Sequence, residues 1–118
     1  AAAEAVRALV LHGSFAWTPE AELFLMLTAR ADLVATVIRP ALALGAVVLS
    51  DRYELSTLAY QVAGRRLPRA AVVSANRLAT GGLSPDLTLV LDVPAAVGRK
   101  RQVAEGKAPD RMERESPG

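Results

Sequence analysis

Two short apolar runs constrain this chain more than any other feature. Ala46 to Leu49 is continuous and gives way at once to Ser50, Asp51 and Arg52, and Leu87 to Leu91 is broken only by Thr88 and gives way to Asp92-Val93-Pro94. Apolar strands of this length, set between helical segments, are what a parallel sheet covered on both faces requires. The helical segments lie on either side. Val6, Leu9 and Val10 share one side of a helix over Ala2 to Leu11, which Gly13 stops. Thr18, Pro19 and Glu20 supply a capping hydroxyl, a first-turn proline and an acid against the helix dipole. Further helices are predicted from Asp32 to Gly45 with a kink or restart at Pro40, from Ser56 to Ala63, from Pro68 to Thr80 with closure at Gly81-Gly82, and from Pro94 to Glu105. The class is α/β, as one unit over residues 1–118. Two strands alone are marginal in water, so part of the sheet is expected to lie outside these residues.

Leu23, Phe24, Leu25, Met26 and Leu27 are apolar without interruption and cover most of a helix circumference. Such a helix is buried on more than one side, which in a small chain calls for a partner surface. Composition narrows the functional classes. Hydrophobic residues make up 52% and aromatics only 4%, so a core is built from Ala, Leu and Val rather than rings. No cysteine is present, which removes disulfides and thiolate metal sites and is compatible with a cytoplasmic location. The single histidine, His12, offers neither a multi-histidine metal site nor a triad with a choice of partners, and reads as a polar residue at a helix end. A formal charge of +2 does not argue for nucleic-acid binding, and no apolar run reaches the roughly 18–20 residues of a membrane span. The Ala-rich start carries Glu4 and does not read as a signal peptide.

In open α/β sheets ligands bind beyond the carboxyl ends of the strands. Asp51 is placed there to hold Mg²⁺ or its waters, and Arg52 offers a planar fork suited to phosphate. The plain alternative is that the two cap the next helix or pair with each other. From Arg99 onward, basic residues alternate with acids as far as Glu115. Composition alone favours a solvated face of mixed-sign pairs over a mobile flap closing on phosphates.

The residue strings add a resemblance. Asp51-Arg52-Tyr53 with Ser56-Thr57-Leu58-Ala59-Tyr60-Gln61, then Ala79-Thr80-Gly81-Gly82-Leu83-Ser84-Pro85-Asp86-Leu87-Thr88, then Leu91-Asp92-Val93-Pro94, resemble segments of bacterial thymidylate kinases in order and spacing. Glu22 to Arg30 and Val37-Ile38-Arg39-Pro40-Ala41-Leu42 are similar to that family's substrate-side helices, and Asp110-Arg111-Met112-Glu113 to its lid segment. The resemblance covers nearly the whole chain. It implies a three-layer P-loop kinase fold, here incomplete, and transfer of the ATP γ-phosphoryl to dTMP with Mg²⁺. It implies that Arg52 binds the dTMP phosphate, that Asp51 organises Mg²⁺ and that arginine, that Arg30 reaches the thymine edge and that Tyr60 packs on the sugar. Ser56, Thr57 and Gln61 fall in the same substrate-side segment, and Arg101 and Arg111 in the lid. A homodimer through the helix over 19–38 is implied as well.

The departures are specific. The chain contains no G-x-x-x-x-G-K-S/T, whose backbone N–H groups and lysine cradle ATP phosphates. It is expected to begin just after the family's arginine- and glycine-containing phosphate loop and to end before the segments that contact adenine. Met26 stands where the family has a phenylalanine stacking on thymine, and Val103 where a lid arginine is frequent. These residues alone are therefore expected to lack kinase activity. Two alternatives follow: a non-catalytic nucleotide-binding or dimerisation module derived from such a kinase, and a kinase for another nucleoside monophosphate.

Overall fold

The computed structural model describes residues 2–12 and 15–108. Its helices are α1 (Ala2–His12), α2 (Pro19–Leu33), α3 (Arg39–Ala43), α4 (Glu54–Thr57), α5 (Arg69–Thr80) and α6 (Ala95–Ala104), with π-helical turns at Val34–Ile38 and Leu58–Gly64. Gly13, the expected stop of the first helix, lies outside the described residues.

The start of α2 follows from its sequence. Thr18 Oγ1 accepts from the Ala21 N–H at 3.3 Å, Pro19 opens the first turn, and Glu20 and Glu22 stand against the positive end of the dipole. Pro40 has no N–H to donate back into the helix and its ring crowds the carbonyl four residues earlier. The preceding turn widens to meet this: the Arg39 N–H reaches the Val34 carbonyl, five residues back. The helix restarts as α3 and ends at Gly45, whose φ of 77° allows the Ala46 N–H to reach the Ala41 carbonyl at 3.1 Å. Gly81, at φ 59°, closes α5 in the same way, with the Gly82 N–H on the Arg77 carbonyl at 2.9 Å. Arg39 Nη2 donates to the Thr80 and Gly81 carbonyls at 3.1 and 3.0 Å, tying the start of α3 to the end of α5.

The core is small. Leu23 and Leu27, one turn apart on α2, pack against Val72 of α5, with Val62, Leu67, Ala75 and Ala79 around them. Val10, Val34 and Ile38 are buried elsewhere. The continuous apolar stretch of α2 is thus only partly covered: α1 and α5 pack on it, while Phe24 stays 61% exposed.

The expected sheet is the main difference. Residues 46–49 and 87–91 are non-helical, but neither belongs to a hydrogen-bonded strand among the described residues. Their side chains face solvent, Leu49 at 93% and Leu91 at 92% exposure. The physical reason is the one that limits any two-stranded sheet: strands that are apolar on both faces need neighbours and covering helices on each side before pairing is favourable. No helix among the described residues is long and apolar enough to cross a membrane.

Candidate substrate site

The turn after residues 46–49 carries the densest chemistry. Arg52 has a φ of 75°, a left-handed conformation that side-chain-bearing residues seldom adopt. Ser50 Oγ donates to the Arg52 carbonyl at 2.8 Å and braces this turn. From it the Arg52 guanidinium reaches Tyr60, donating from Nη1 to the phenol oxygen at 3.1 Å and lying 5.9 Å from the ring centre. Asp51 and Arg52 are both exposed.

Arg30, two turns along α2 from Glu22, is held from three directions. Its Nη1 donates to Thr57 Oγ1 at 2.8 Å and to Asn76 Oδ1, and its Nη2 donates to the Tyr53 carbonyl at 3.0 Å. The guanidinium also lies 5.2 Å from the centre of the Tyr53 ring. Burial lowers the Arg30 pKa, against the raising influence of Tyr53 and Glu54. Burial raises the Tyr53 phenol, more than the nearby Arg30 charge lowers it. The Tyr53 hydroxyl donates to the Leu83 carbonyl at 3.1 Å.

Beneath these groups lies a buried ion pair. Glu22, 1% exposed, accepts from Arg65 Nε at 3.1 Å and Nη2 at 3.0 Å, and from Gln61 Nε2 at 3.1 Å. It fastens α2 to the π-helical turn at Leu58–Gly64.

These elements enclose a cavity of about 350 Å³. Met26, Arg30, Asp51, Arg52, Ser56, Thr57, Tyr60 and Gln61 all line it, so eight of the ten residues singled out from sequence meet in one place. Arg101 sits on α6 and does not line the cavity. Arg111 lies outside the described residues, as does the Asp110–Glu113 string. Among the lining groups, the guanidiniums of Arg7, Arg30 and Arg52 stand against the carboxylates of Glu4 and Asp51. The balance suits an anionic ligand.

Among the described residues no three His, Cys, Asp or Glu side chains cluster as a metal cage. Mg²⁺ does not need one, because it is bound through one or two carboxylates plus water and substrate phosphates. Asp51, exposed at the cavity wall, fits that outer role. No loop among the described residues offers ATP phosphates the cradle that the missing glycine-lysine motif would form.

Sequence reasoning missed Asn76, Glu22 and Arg65 as parts of this site, along with the α1 residues Glu4 and Arg7. Asn76 could have been found: with Val72 and Thr80 it makes an i, i+4, i+8 row on α5, and a polar group inside a buried row calls for a partner. Glu22 was hidden because acids in a first helical turn usually face solvent and favour the dipole.

A family model for thymidylate kinase matches residues 1–117. The thymidylate kinase of Cereibacter sphaeroides is 57% identical over 99 residues, which cover 83% of this chain and 46% of that relative. Those of Geobacter sulfurreducens (48% over 120 residues, 97% of this chain and 56% of the relative) and a Synechococcus species (51% over 110 residues, 93% and 51%) are similar too. The chain spans about half the length of the curated relatives it matches. By a match over almost its whole length, the chain belongs to the thymidylate kinase family, which implies a fold of the P-loop kinase type.

Proposed function

We propose that this chain supplies the nucleoside monophosphate side of an enzyme that transfers the γ-phosphoryl group of ATP to dTMP, giving dTDP. The observation that carries the reading is the convergence of Met26, Arg30, Asp51, Arg52, Ser56, Thr57, Tyr60 and Gln61 on one cavity. At about 350 Å³ it falls within the range of about 300–1,000 Å³ of small-molecule sites.

The roles are those the family resemblance implies, and the cavity's geometry supports them. Arg52, exposed at the cavity and backed by Tyr60, receives the dTMP phosphate. Tyr60 packs on the sugar, and Met26 lies against the base with a polarisable thioether. Arg30 is a donor-only group held rigid at the far end, suited to a carbonyl on the base edge. Ser56, Thr57 and Gln61 complete that wall. When bound, Mg²⁺ would neutralise charge on the transferring group, and Asp51 would hold its waters. Phosphoryl transfer is promoted chiefly by such positioning and charge neutralisation. Arg101, with Arg111, would close over the phosphates from the lid side.

ATP phosphates require the glycine-lysine loop that these 118 residues do not contain. Calorimetric titration of the 118-residue chain with dTMP, then with ATP and Mg²⁺, tests the reading. Binding of dTMP without ATP supports it. ATP binding that needs no dTMP would sink it, and equal affinity for dTMP and AMP would sink it in favour of another monophosphate. The reading includes a homodimer: Phe24, Leu33 and Val37 leave apolar surface exposed along the helix over 19–38. A cytoplasmic enzyme is the setting in which this chemistry belongs.

A further inference from the structure

Arg30 is too well held for a residue that only lines a cavity. Of its five N–H groups, two on Nη1 go to Thr57 and Asn76 and one on Nη2 goes to the Tyr53 carbonyl. Two N–H groups have no protein partner among the described residues, and the side chain lines the cavity. Thr57 and Tyr53 belong to the turn and helix already assigned to the substrate. Asn76 does not. It comes from α5, is 7% exposed, and its carboxamide oxygen accepts from Arg30 Nη1.

The contact defines more than distance. An arginine in a half-open cavity can rotate about its last torsions, and each rotation aims a different pair of N–H groups at the ligand. An acceptor from a third element removes that freedom before the ligand arrives, which is how preorganised sites avoid an ordering cost on binding. Without it, the desolvated guanidinium would keep one acceptor on each terminal nitrogen, Thr57 on Nη1 and the Tyr53 carbonyl on Nη2, and Nη1 would lose the acceptor for its second N–H.

We propose that Asn76 is a positioning residue for base selectivity: through Arg30 it fixes which N–H groups meet the edge of the nucleobase. This rests on the reading that Arg30 faces the base. A donor-only group prefers a carbonyl over an amino group at that edge, so dTMP is favoured over dCMP to the extent that Arg30 is held. Asn76 itself does not line the cavity.

The test is calorimetric binding of dTMP, dCMP and 2-deoxyribose 5-phosphate to the protein at its full natural length. Asn76→Leu is expected to reduce the preference for dTMP over dCMP by about tenfold or more, as for loss of a hydrogen bond to a charged group. Binding of the sugar phosphate, which has no base, stays unchanged. Asn76→Asp retains an acceptor in the same place and keeps the preference. In an Arg30→Met background, Asn76→Leu has no further effect on selectivity. Equal weakening of all three ligands, or an additive loss in the Arg30→Met background, would overturn the proposal in favour of a purely structural asparagine. If Arg30→Met removes the preference and Asn76→Leu does not, the proposal alone falls; if Arg30→Met leaves the preference intact, the base-edge reading falls and takes the proposal with it. Should Asn76→Leu not fold, nitrogen-resolved NMR of the unsubstituted protein decides. A held Arg30 shows slow rotation of its guanidinium, and free rotation overturns the proposal.

Discussion

The buried pair between Glu22 and Arg65 makes a quantitative prediction that separates its two partners. Glu22 is shut off from water at 1% exposure, whereas the Arg65 side chain keeps 14%. Removing one member of a buried ion pair costs about 3–5 kcal/mol, because the other charge is left without compensation. After Glu22→Ala the less deeply buried Arg65 charge can regain some hydration, which places that variant near the low end, about 3 kcal/mol. After Arg65→Met the carboxylate cannot, and the Gln61 amide at 3.1 Å is a weak substitute for a two-pronged guanidinium, which places this variant near the upper end, about 4–5 kcal/mol. The double substitution Glu22→Gln with Arg65→Met removes both charges and keeps an acceptor for Gln61, so it should lie within about 1–2 kcal/mol of the parent. Urea unfolding of the full-length protein at pH 7, with a common slope across variants, reads these values. A smaller cost for Arg65→Met than for Glu22→Ala, or less than about 1 kcal/mol for either, would refute the reasoning by showing that the carboxylate reaches water in solution.

Three further outcomes follow. Arg52→Gly places the residue best suited to a φ of 75° where an arginine now stands, so stability should stay within about 1 kcal/mol of the parent while dTMP affinity falls at least tenfold, read by thermal unfolding and calorimetry. Phe24→Glu places a charge in the exposed apolar stripe of α2 and, if the proposed homodimer forms there, should shift the protein toward monomer in sedimentation without losing helix content; an unchanged dimer would refute the proposed interface. The phenol of Tyr53 is raised above its ordinary 10.0 by burial, so the native state holds that proton more tightly than the unfolded state. Its contribution is complete below pH 10 and is lost as pH rises through the native value, and Tyr53→Phe should remove that alkaline decline from a stability-versus-pH curve.

Much of the site was legible because its residues lie close together in sequence. Residues from Ser50 to Gln61 span a single turn and helix, so their order already implies one wall, and Met26 and Arg30 are one turn apart on the facing helix. Thr18, Pro40, Gly45 and Gly81 marked element ends through local chemistry that depends on few distant contacts. What stayed hidden depends on long-range pairing. Asn76 meets Arg30 across 46 positions and Arg65 meets Glu22 across 43, and nothing in the local spacing links them. The two widened helical turns were likewise read as ordinary helix, since a π-turn differs from an α-turn only in which carbonyl each N–H chooses. The sheet was expected from apolar runs whose burial requires neighbours that the described residues do not provide.

The exposed segments at 46–49 and 87–91 have a consequence for how these 118 residues behave when they are produced on their own. Each is a short, uncharged, β-prone stretch outside any hydrogen-bonded strand among the described residues, the composition that templates intermolecular cross-β pairing. While they stand uncovered, two chains that meet can zip together along these edges faster than either buries them internally. Asp51 and Arg52 after the first run, and Asp86 and Asp92 around the second, act as charged gatekeepers that slow the process without preventing it. Soluble yield of these 118 residues produced alone should therefore fall steeply with expression level and recover with chaperone capacity, a dependence governed by proteostasis rather than by the substrate cavity.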